Sequence, residues 1–175
     1  LPPLFENAEP VLPALAIDAH KYSRGAALIF SGGAFNTGAA RLAALAAARS
    51  GAGAVSLCGS EEALRVHATH VSSIMLKLCE GPDDLSRILA GSRIRSICIG
   101  PASGVGRLTR DLVNAALGSA AHIVLQSSDP VLLQILLNQT PAARLLTQIP
   151  HHQILNLSKI EILPLDRHLA VGVLL

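Results

Sequence analysis

The feature that most constrains this chain is a regular alternation of short apolar runs with helical segments. The apolar runs are AALIFSGG (26–33), AVSLCG (54–59), SSIMLKLC (72–79), SICIGP (96–101) and HIVLQSS (122–128). Continuous apolar strands joined by helices are typical of βαβ units, in which helices cover both faces of a parallel sheet. The chain is therefore predicted to be an α/β protein with a doubly wound, mainly parallel sheet in a three-layer, Rossmann-like arrangement.

The predicted helices lie between these strands, and several have recognisable ends. Their positions are 37–53, a segment that starts at Ser60 as its N-cap, 82–91, 108–119 and 130–139. Asp83 and Asp84 follow Pro82, as expected for the first turn of a helix, where acidic side chains interact favourably with the helix dipole. After Pro141 the pattern weakens, and the sequence closes on an apolar strand at 168–175 with no helix after it. We therefore expect a truncated domain.

Composition excludes several classes of function. Half of the residues are apolar, but Phe and Tyr together number four and Trp is absent, so no aromatic platform for stacking nucleic-acid bases is expected. A net charge of +2 with scattered basic residues predicts no nucleic-acid-binding face. No run approaches the roughly 20 apolar residues needed to cross a bilayer, and the N-terminus lacks a secretory signal. Together with three unpaired cysteines, these features predict a soluble, cytoplasmic protein with reduced thiols in its core.

The turn SGGAFNTGA (31–39) is the strongest candidate for ligand binding. Its glycines allow the backbone to approach a ligand closely, and the helix that follows offers free N–H groups to an anion. Gly33 and Gly38 have the spacing of a phosphate-binding P-loop, but Ala39 and Ala40 occupy the positions of its Lys and Ser/Thr. A P-loop is therefore rejected. From the residues alone, a tight turn without a ligand is about as common as a ligand loop.

The remaining motifs are weaker. Neither GAG (51–53) nor GVG (104–106) completes a dinucleotide fingerprint, although the second belongs to a glycine-containing loop after a buried strand. His67 and His70 are three residues apart on one predicted helix and are interpreted as solvated surface rather than as metal ligands. His151 lies in a loop-like segment. No Ser/His/Asp or Cys/His constellation follows from spacing.

Residues 20–57 resemble the opening of the ADP/ATP-dependent NAD(P)H-hydrate dehydratase family. The shared features, in order, are HKxxRG before a strand, SGG in the turn, TGAARLAALAA on the helix and GAGAVSL entering the next strand. IGPASGVG (99–106) resembles a later IGPGLG loop, with Ala102 and Ser103 departing from it. The Pro-rich segment 1–19 resembles the linker to an epimerase domain in bifunctional members. The resemblance divides the chain into a linker, 1–19, and a partial dehydratase domain, 20–175.

The resemblance implies a ribokinase-like fold and a repair reaction on nicotinamide nucleotides. In such a reaction ADP or ATP, with Mg²⁺, phosphorylates the hydroxyl of hydrated NADH or NADPH, and loss of phosphate restores the nicotinamide ring. Carried over residue by residue, the resemblance assigns substrate contact to Ala39, Gly100, Gly104, Gly106 and His151. His151 matches the histidine of a PHxGE motif whose glycine and glutamate are replaced by Gln153 and Ile154.

Other departures concern catalysis. Gln126 and Ser128 stand where the family carries carboxylates, and no Gly-rich loop with a catalytic Asp is present in the sequence. We therefore name no catalytic residue and expect the chain to be inactive alone. Two alternatives remain: a small-molecule kinase of the same superfamily, and a non-catalytic remnant that binds a nucleotide. The preference for ADP or ATP and the formation of a homo-oligomer are left open.

Overall fold

The computed structural model describes residues 17–21, 23–100, 102–104 and 106–125. In chain order the elements are β1 (Ala26–Phe30), α1 (Gly38–Arg49), β2 (Ala54–Gly59), α2 (Glu61–Ala68), β3 (Met75–Leu78), α3 (Pro82–Leu89), β4 (Ile94–Ile99), α4 (Arg107–Leu117) and β5 (His122–Leu125). The strands and helices predicted between residues 26 and 125 are all confirmed. The predicted helix 130–139 and strand 168–175 lie outside the described residues. Within the described part, no helix is long and apolar enough to cross a membrane.

The five strands form one sheet in the order β3-β2-β1-β4-β5, and every neighbouring pair is parallel. β1 is central, with Leu28 beside Ser56 of β2 on one side and Ile97 of β4 on the other. The chain moves outward from β1 to β3, crosses back to β4, and then moves outward again to β5. This reversal is the topological switch point of a doubly wound sheet, and it confirms the predicted fold class.

Each face of the sheet has its own apolar core, because successive strand residues point to opposite faces. On one face, Leu28 and Phe30 of β1 pack with side chains from α3 and α4: Leu85, Leu112, Val113 and Ala116. On the other face, Ala27 and Ile29 pack with α1 through Ala40, Ala44 and Ala47. The short alanine side chains let α1 lie close to the sheet. Burial on both faces explains why the strands read as unbroken apolar runs.

Two strand boundaries differ from the prediction for reasons of pairing. β3 covers only Met75–Leu78 of the predicted 72–79, because it is an edge strand and pairs only with the last four residues of β2. β4 begins at Ile94, before the apolar run 96–101, because Ile94 pairs with Ala26 ahead of a register shift in β1. Pairing partners, which are distant in sequence, therefore set these two ends.

The segment before β1 packs against the glycines that follow α1. The Arg24 Nε donates to the carbonyl of Gly51 at 2.8 Å, and the Gly53 amide donates to the Gly25 carbonyl at 2.9 Å. A Cβ added to Gly53 would lie 1.7 Å from the carbonyl oxygen of Lys21, so only glycine fits. The HKxxRG and GAG motifs therefore pack against each other. This packing accounts for the glycines of GAG without a bound dinucleotide.

Candidate functional site

The switch point places two glycine-containing turns at the carboxyl edge of adjacent strands. The turn after β1 covers residues 31–37 and leads into α1, and the loop after β4 begins at Gly100 and leads into α4. In open α/β sheets, ligands bind beyond the carboxyl ends of the strands where the strand order reverses. We call this position the switch-point site, formed by residues 31–41 together with the described residues of 100–109.

The two turns touch each other at Gly32. A Cβ on Gly32 would lie 2.5 Å from the carbonyl oxygen and 2.9 Å from the Cβ of Ala102, and 2.9 Å from the carbonyl oxygen of Asn36. Any side chain at this position would separate the turns. Glycine at position 32, the first glycine of SGG, thus allows the two turns to lie in contact. Gly33, in contrast, has open space around its Cβ position.

Ala39 is exposed in the first turn of α1, where backbone N–H groups have no acceptor within the helix. The Thr37 side chain does not cap them and instead accepts a hydrogen bond from Arg41 Nη1 at 3.0 Å. Arg41 therefore adds a cation beside an uncapped helix N-terminus, which favours an anionic group. Arg41 was not predicted from the sequence, because Arg in a helix interior carries no motif.

The loop after β4 has a backbone that favours glycine at three positions. Gly100 and Gly104 have positive φ values, 130° and 71°, and so does Ala102, at 58°. Left-handed backbone is unfavourable for a residue with a Cβ, so Ala102 is strained where the resembling IGPGLG loop carries glycine. Gly106 is the N-cap of α4 and has an extended backbone, with φ of −176°, which other residues also adopt.

Thr109, in the first turn of α4, fixes this loop. Its buried hydroxyl lies within hydrogen-bonding distance of the carbonyl oxygens of Ser103, at 3.0 Å, and Gly104, at 3.2 Å. Sequence reasoning missed Thr109, although a Thr three positions after Gly106 is a recognisable signal for contact with the preceding loop. The Ser103 Oγ is buried and has no hydrogen-bond partner within the described part of the chain.

A Ser–His pair lies directly beneath the turn after β1. Ser31 Oγ donates to the carbonyl of Gly32 at 2.8 Å and lies 2.8 Å from Nε2 of His67. His67 is fully buried, so its interpretation as solvated helix surface is wrong, whereas His70 is exposed as expected. The seventh position of α2 points inward because the helix lies against the sheet, which a spacing argument within one helix does not reveal.

The surroundings of His67 favour its neutral form. Burial lowers the pKa of His67 below its ordinary value of 6.5, and the positive charges of Arg41 and of protonated His70 lower it further. Nδ1 of the same ring is buried without a hydrogen-bond partner among the described residues. A second ring N–H would therefore have nothing to donate to, which also disfavours the imidazolium.

The three cysteines are free thiols packed in or against the core. Cys58 and Cys79 are buried and Cys98 is partly buried. Burial raises the pKa of Cys79 and of Cys98 to about 11, and it raises that of Cys58 well above its ordinary value. Because the thiolate is the reactive form, none of the three is a candidate nucleophile.

The described residues offer no evident metal site, since they contain no group of three or more His, Cys, Asp and Glu side chains suited to one ion. Four of the predicted substrate-contact residues, Ala39, Gly100, Gly104 and Gly106, lie at the switch-point site. His151, with Gln126 and Ser128, lies outside the described residues.

Solved structures share this fold. A hypothetical protein from Streptococcus mutans superposes with a TM-score of 0.65 at 17% identity, over 82% of this chain and 52% of that one. A ribokinase-like superfamily protein from Enterococcus faecalis gives 0.62 at 16% identity, over 78% and 49%. An ADP/ATP-dependent NAD(P)H-hydrate dehydratase from Bacillus subtilis, co-crystallised with ATP/Mg²⁺, gives 0.63 at 22% identity, over 84% and 52%. The fold is that of a ribokinase-like α/β domain.

The sequence places the chain within that class. A family model described as NAD(P)H-hydrate dehydratase matches residues 27–150, and the chain belongs to this family. The bifunctional NAD(P)H-hydrate repair enzyme Nnr of Coxiella burnetii is 34% identical over 129 residues, which are 74% of this chain and 26% of that enzyme. The chain thus spans about half the length of the solved structures it resembles and about a quarter of this curated relative.

Proposed function

We propose that this chain is the substrate-binding side of an NAD(P)H-hydrate dehydratase domain and that it binds hydrated NADH or NADPH at the switch-point site. The observation that carries the proposal is the meeting of two glycine-containing turns at the switch point of a chain that belongs to this family. Dinucleotides carry phosphates and planar rings, and the site offers groups that recognise the phosphates.

In this proposal the first turn of α1 receives a phosphate of the dinucleotide. The uncapped amides around Ala39 provide donors, and the Arg41 guanidinium provides a positive charge beside them. Gly100, Gly104 and Gly106 allow the second turn to approach the same ligand with its backbone. His151 is proposed as a further contact on the basis of the family resemblance alone.

The reaction proposed for the complete domain is transfer of a phosphoryl group from ADP or ATP to the hydroxyl of the hydrated ring, followed by loss of phosphate. Such a transfer needs a base for the hydroxyl proton and groups that steady the phosphoryl oxygens. We assign the role of base to no described residue, and we propose binding without turnover for this chain by itself.

The organisation of the chain is part of the proposal. Residues 1–19 are proposed to be a linker and 20–175 a dehydratase domain, which is supported by the contacts of Lys21, Arg24 and Gly25 with the glycines at 51–53. An epimerase domain before the linker is proposed by analogy with the bifunctional relative. A cytoplasmic location is proposed because the three cysteines are free thiols, as is usual in a reducing compartment.

Calorimetric titration of the purified chain with hydrated NADPH, NADPH and ATP tests this proposal. We expect heat of binding for the two dinucleotides, and none for ATP alone. Absorbance of regenerated NADPH, followed with ATP and hydrated NADPH together, should stay flat. Consumption of ATP with regeneration of NADPH would contradict the absence of turnover. ATP turnover that requires another alcohol, and no binding of dinucleotide, would establish a small-molecule kinase instead.

A further inference from the structure

The Ser31–His67 pair connects the turn at the switch-point site to α2, the helix that follows β2. Ser31 directly follows β1, and its amide still donates to the carbonyl of Cys58 in β2 at 2.8 Å. Ser31 is therefore the residue at which the turn leaves the sheet. His67 reaches this point from the last turn of α2 with Nε2 at 2.8 Å from Ser31 Oγ. A residue 36 positions away thus contacts the start of the glycine turn.

The hydrogen-bond pattern favours one assignment of the protons. A serine hydroxyl has one proton, and Ser31 Oγ donates it to the Gly32 carbonyl at 2.8 Å. With the hydroxyl proton placed there, Nε2 of His67 carries a proton and donates it to Ser31 Oγ. The other neutral tautomer would leave a buried Nδ1–H with no acceptor among the described residues, which is unfavourable. The favoured chain of donors runs from His67 to Ser31 to Gly32.

This favoured direction of donation argues against Ser31 as a nucleophile activated by His67. A serine nucleophile needs the imidazole as a proton acceptor and a third group that orients it. Here the imidazole donates, and its Nδ1 has no partner in the described part of the chain. Among the described residues, the charged groups that act on His67 are Arg41 of α1 and His70, and both disfavour the second proton that would make the ring an imidazolium. The pair is built to hold a hydroxyl rather than to activate it.

We propose that His67 is a positioning residue for the switch-point site. By donating to Ser31 Oγ, His67 orients the hydroxyl toward the Gly32 carbonyl and holds the turn 31–37 in the conformation that meets Ala102 and presents the start of α1. This inference rests on the proposed function, since it specifies what keeps the dinucleotide site formed before the ligand arrives. Preorganisation of this kind reduces the entropy cost of binding.

Substitutions at both positions test the proposal through the Kd for hydrated NADPH. H67L keeps side-chain bulk but removes the donor, S31A removes the hydroxyl, and H67Q keeps an N–H donor at a similar reach. We expect H67L and S31A each to weaken binding by about tenfold, and the double variant to be no worse than either, because both break the same contact. H67Q should bind within about twofold of the wild type.

A matched control is H70Q, the same exchange at an exposed histidine just after α2, and it should bind as the wild type does. Binding is measured well below each unfolding midpoint, so that a loss of stability alone leaves the Kd of the folded protein unchanged. If H67L fails to fold, S31A carries the test, because it removes only the hydroxyl oxygen of a partly buried side chain and leaves His67 in place. Wild-type affinity in both S31A and H67L would overturn the proposal.

Amide hydrogen exchange separates this inference from the proposed function. The Asn36 amide donates to the Gly33 carbonyl at 2.8 Å within the turn. Its exchange should become about tenfold faster in S31A and H67L and should return to the wild-type rate in H67Q. A wild type that binds no dinucleotide would contradict the proposed function only. Unchanged exchange in S31A and H67L would overturn the positioning role whether or not a ligand binds.

Discussion

At the scale of single residues, Ala102 shows how a departure from a glycine pattern is accommodated. Its φ of 58° lies in the left-handed region, yet the loop keeps this shape because Gly100 and Gly104 flank it and Thr109 holds the backbone beyond it. The strain is local, and it lies at the residue that contacts Gly32. The contact between Ala102 and Gly32 is thus present even though the backbone of Ala102 is strained.

Ala102→Gly is therefore expected to stabilise the chain. Relief of the left-handed Cβ, less the greater freedom of glycine in the unfolded chain, should raise the free energy of unfolding by about 0.5–1 kcal/mol. Urea unfolding measures the change. The matched control is Ala48→Gly, at an exposed position of α1, which should lower the same quantity by about 0.5–1 kcal/mol. Loss of stability in both variants would contradict the strain assigned to Ala102.

His67 gives a prediction about pH. Its folded-state pKa lies below the ordinary value of 6.5, so the unfolded chain binds the proton more readily than the folded chain. This pKa difference makes its full contribution to the free energy of unfolding above about pH 6.5. The free energy of unfolding then falls as the pH decreases toward the folded-state pKa. H67Q should lack this part of the pH dependence. Chemical unfolding of both proteins across this range measures the difference, and parallel curves would contradict the prediction.

At the scale of elements, the sheet depends on glycines that allow two backbones to meet. Gly53 admits the carbonyl of Lys21, and Gly32 admits that of Ala102. The first contact joins the segment before β1 to the segment between α1 and β2, and the second joins the two turns of the site. Close approach, rather than flexibility, is the reason for glycine at both positions.

Gly53→Ala is expected to be strongly destabilising. A Cβ 1.7 Å from the Lys21 carbonyl oxygen cannot be accommodated without moving backbone, which should cost about 2–3 kcal/mol. Gly81→Ala is the control, because its Cβ position is open; Gly81 is the N-cap of α3, where Ala is less favourable than Gly, so this variant should lose only about 0.5–1 kcal/mol. Thermal unfolding compares the two, and equal midpoints would contradict the packing argument.

At the scale of the whole molecule, the doubly wound topology places the candidate site at one edge of the sheet. Phe35 is fully exposed in the turn after β1, and Met75 is half exposed at the start of β3, toward the opposite, amino edge. The chain contains no Trp. A single Trp introduced at either position therefore reports on one edge of the sheet alone.

We expect Phe35→Trp to show a saturable change in fluorescence when hydrated NADPH is added, because planar rings of the dinucleotide come near the turn. Met75→Trp should show no such change, since no ligand is expected at the amino edge. Fluorescence titration of the two variants makes the comparison. A saturable change at Met75→Trp and none at Phe35→Trp would move the site away from the switch point.

Sequence was sufficient for the order of elements and the class of fold. Unbroken apolar strands such as 26–30 and 54–59, separated by helices with marked ends, define a parallel sheet because both faces must be buried. The glycine turn at 31–39 and the loop at 100–106 could be singled out in the same way, because they directly follow buried strands. Motifs at 20–57 then identified the family.

What the sequence by itself determined are the features that depend on neighbours along the chain: strand and helix type, helix starts such as Ser60, and the two turns of the site. Only the tertiary structure decided the end of β3 at an edge, the burial of His67, its contact with Ser31, and the contacts at Gly32 and Gly53. The physical reason is that these depend on which distant segments meet when the strands pair. Periodicity within one segment shows which of its residues share a face, and the fold decides what that face meets.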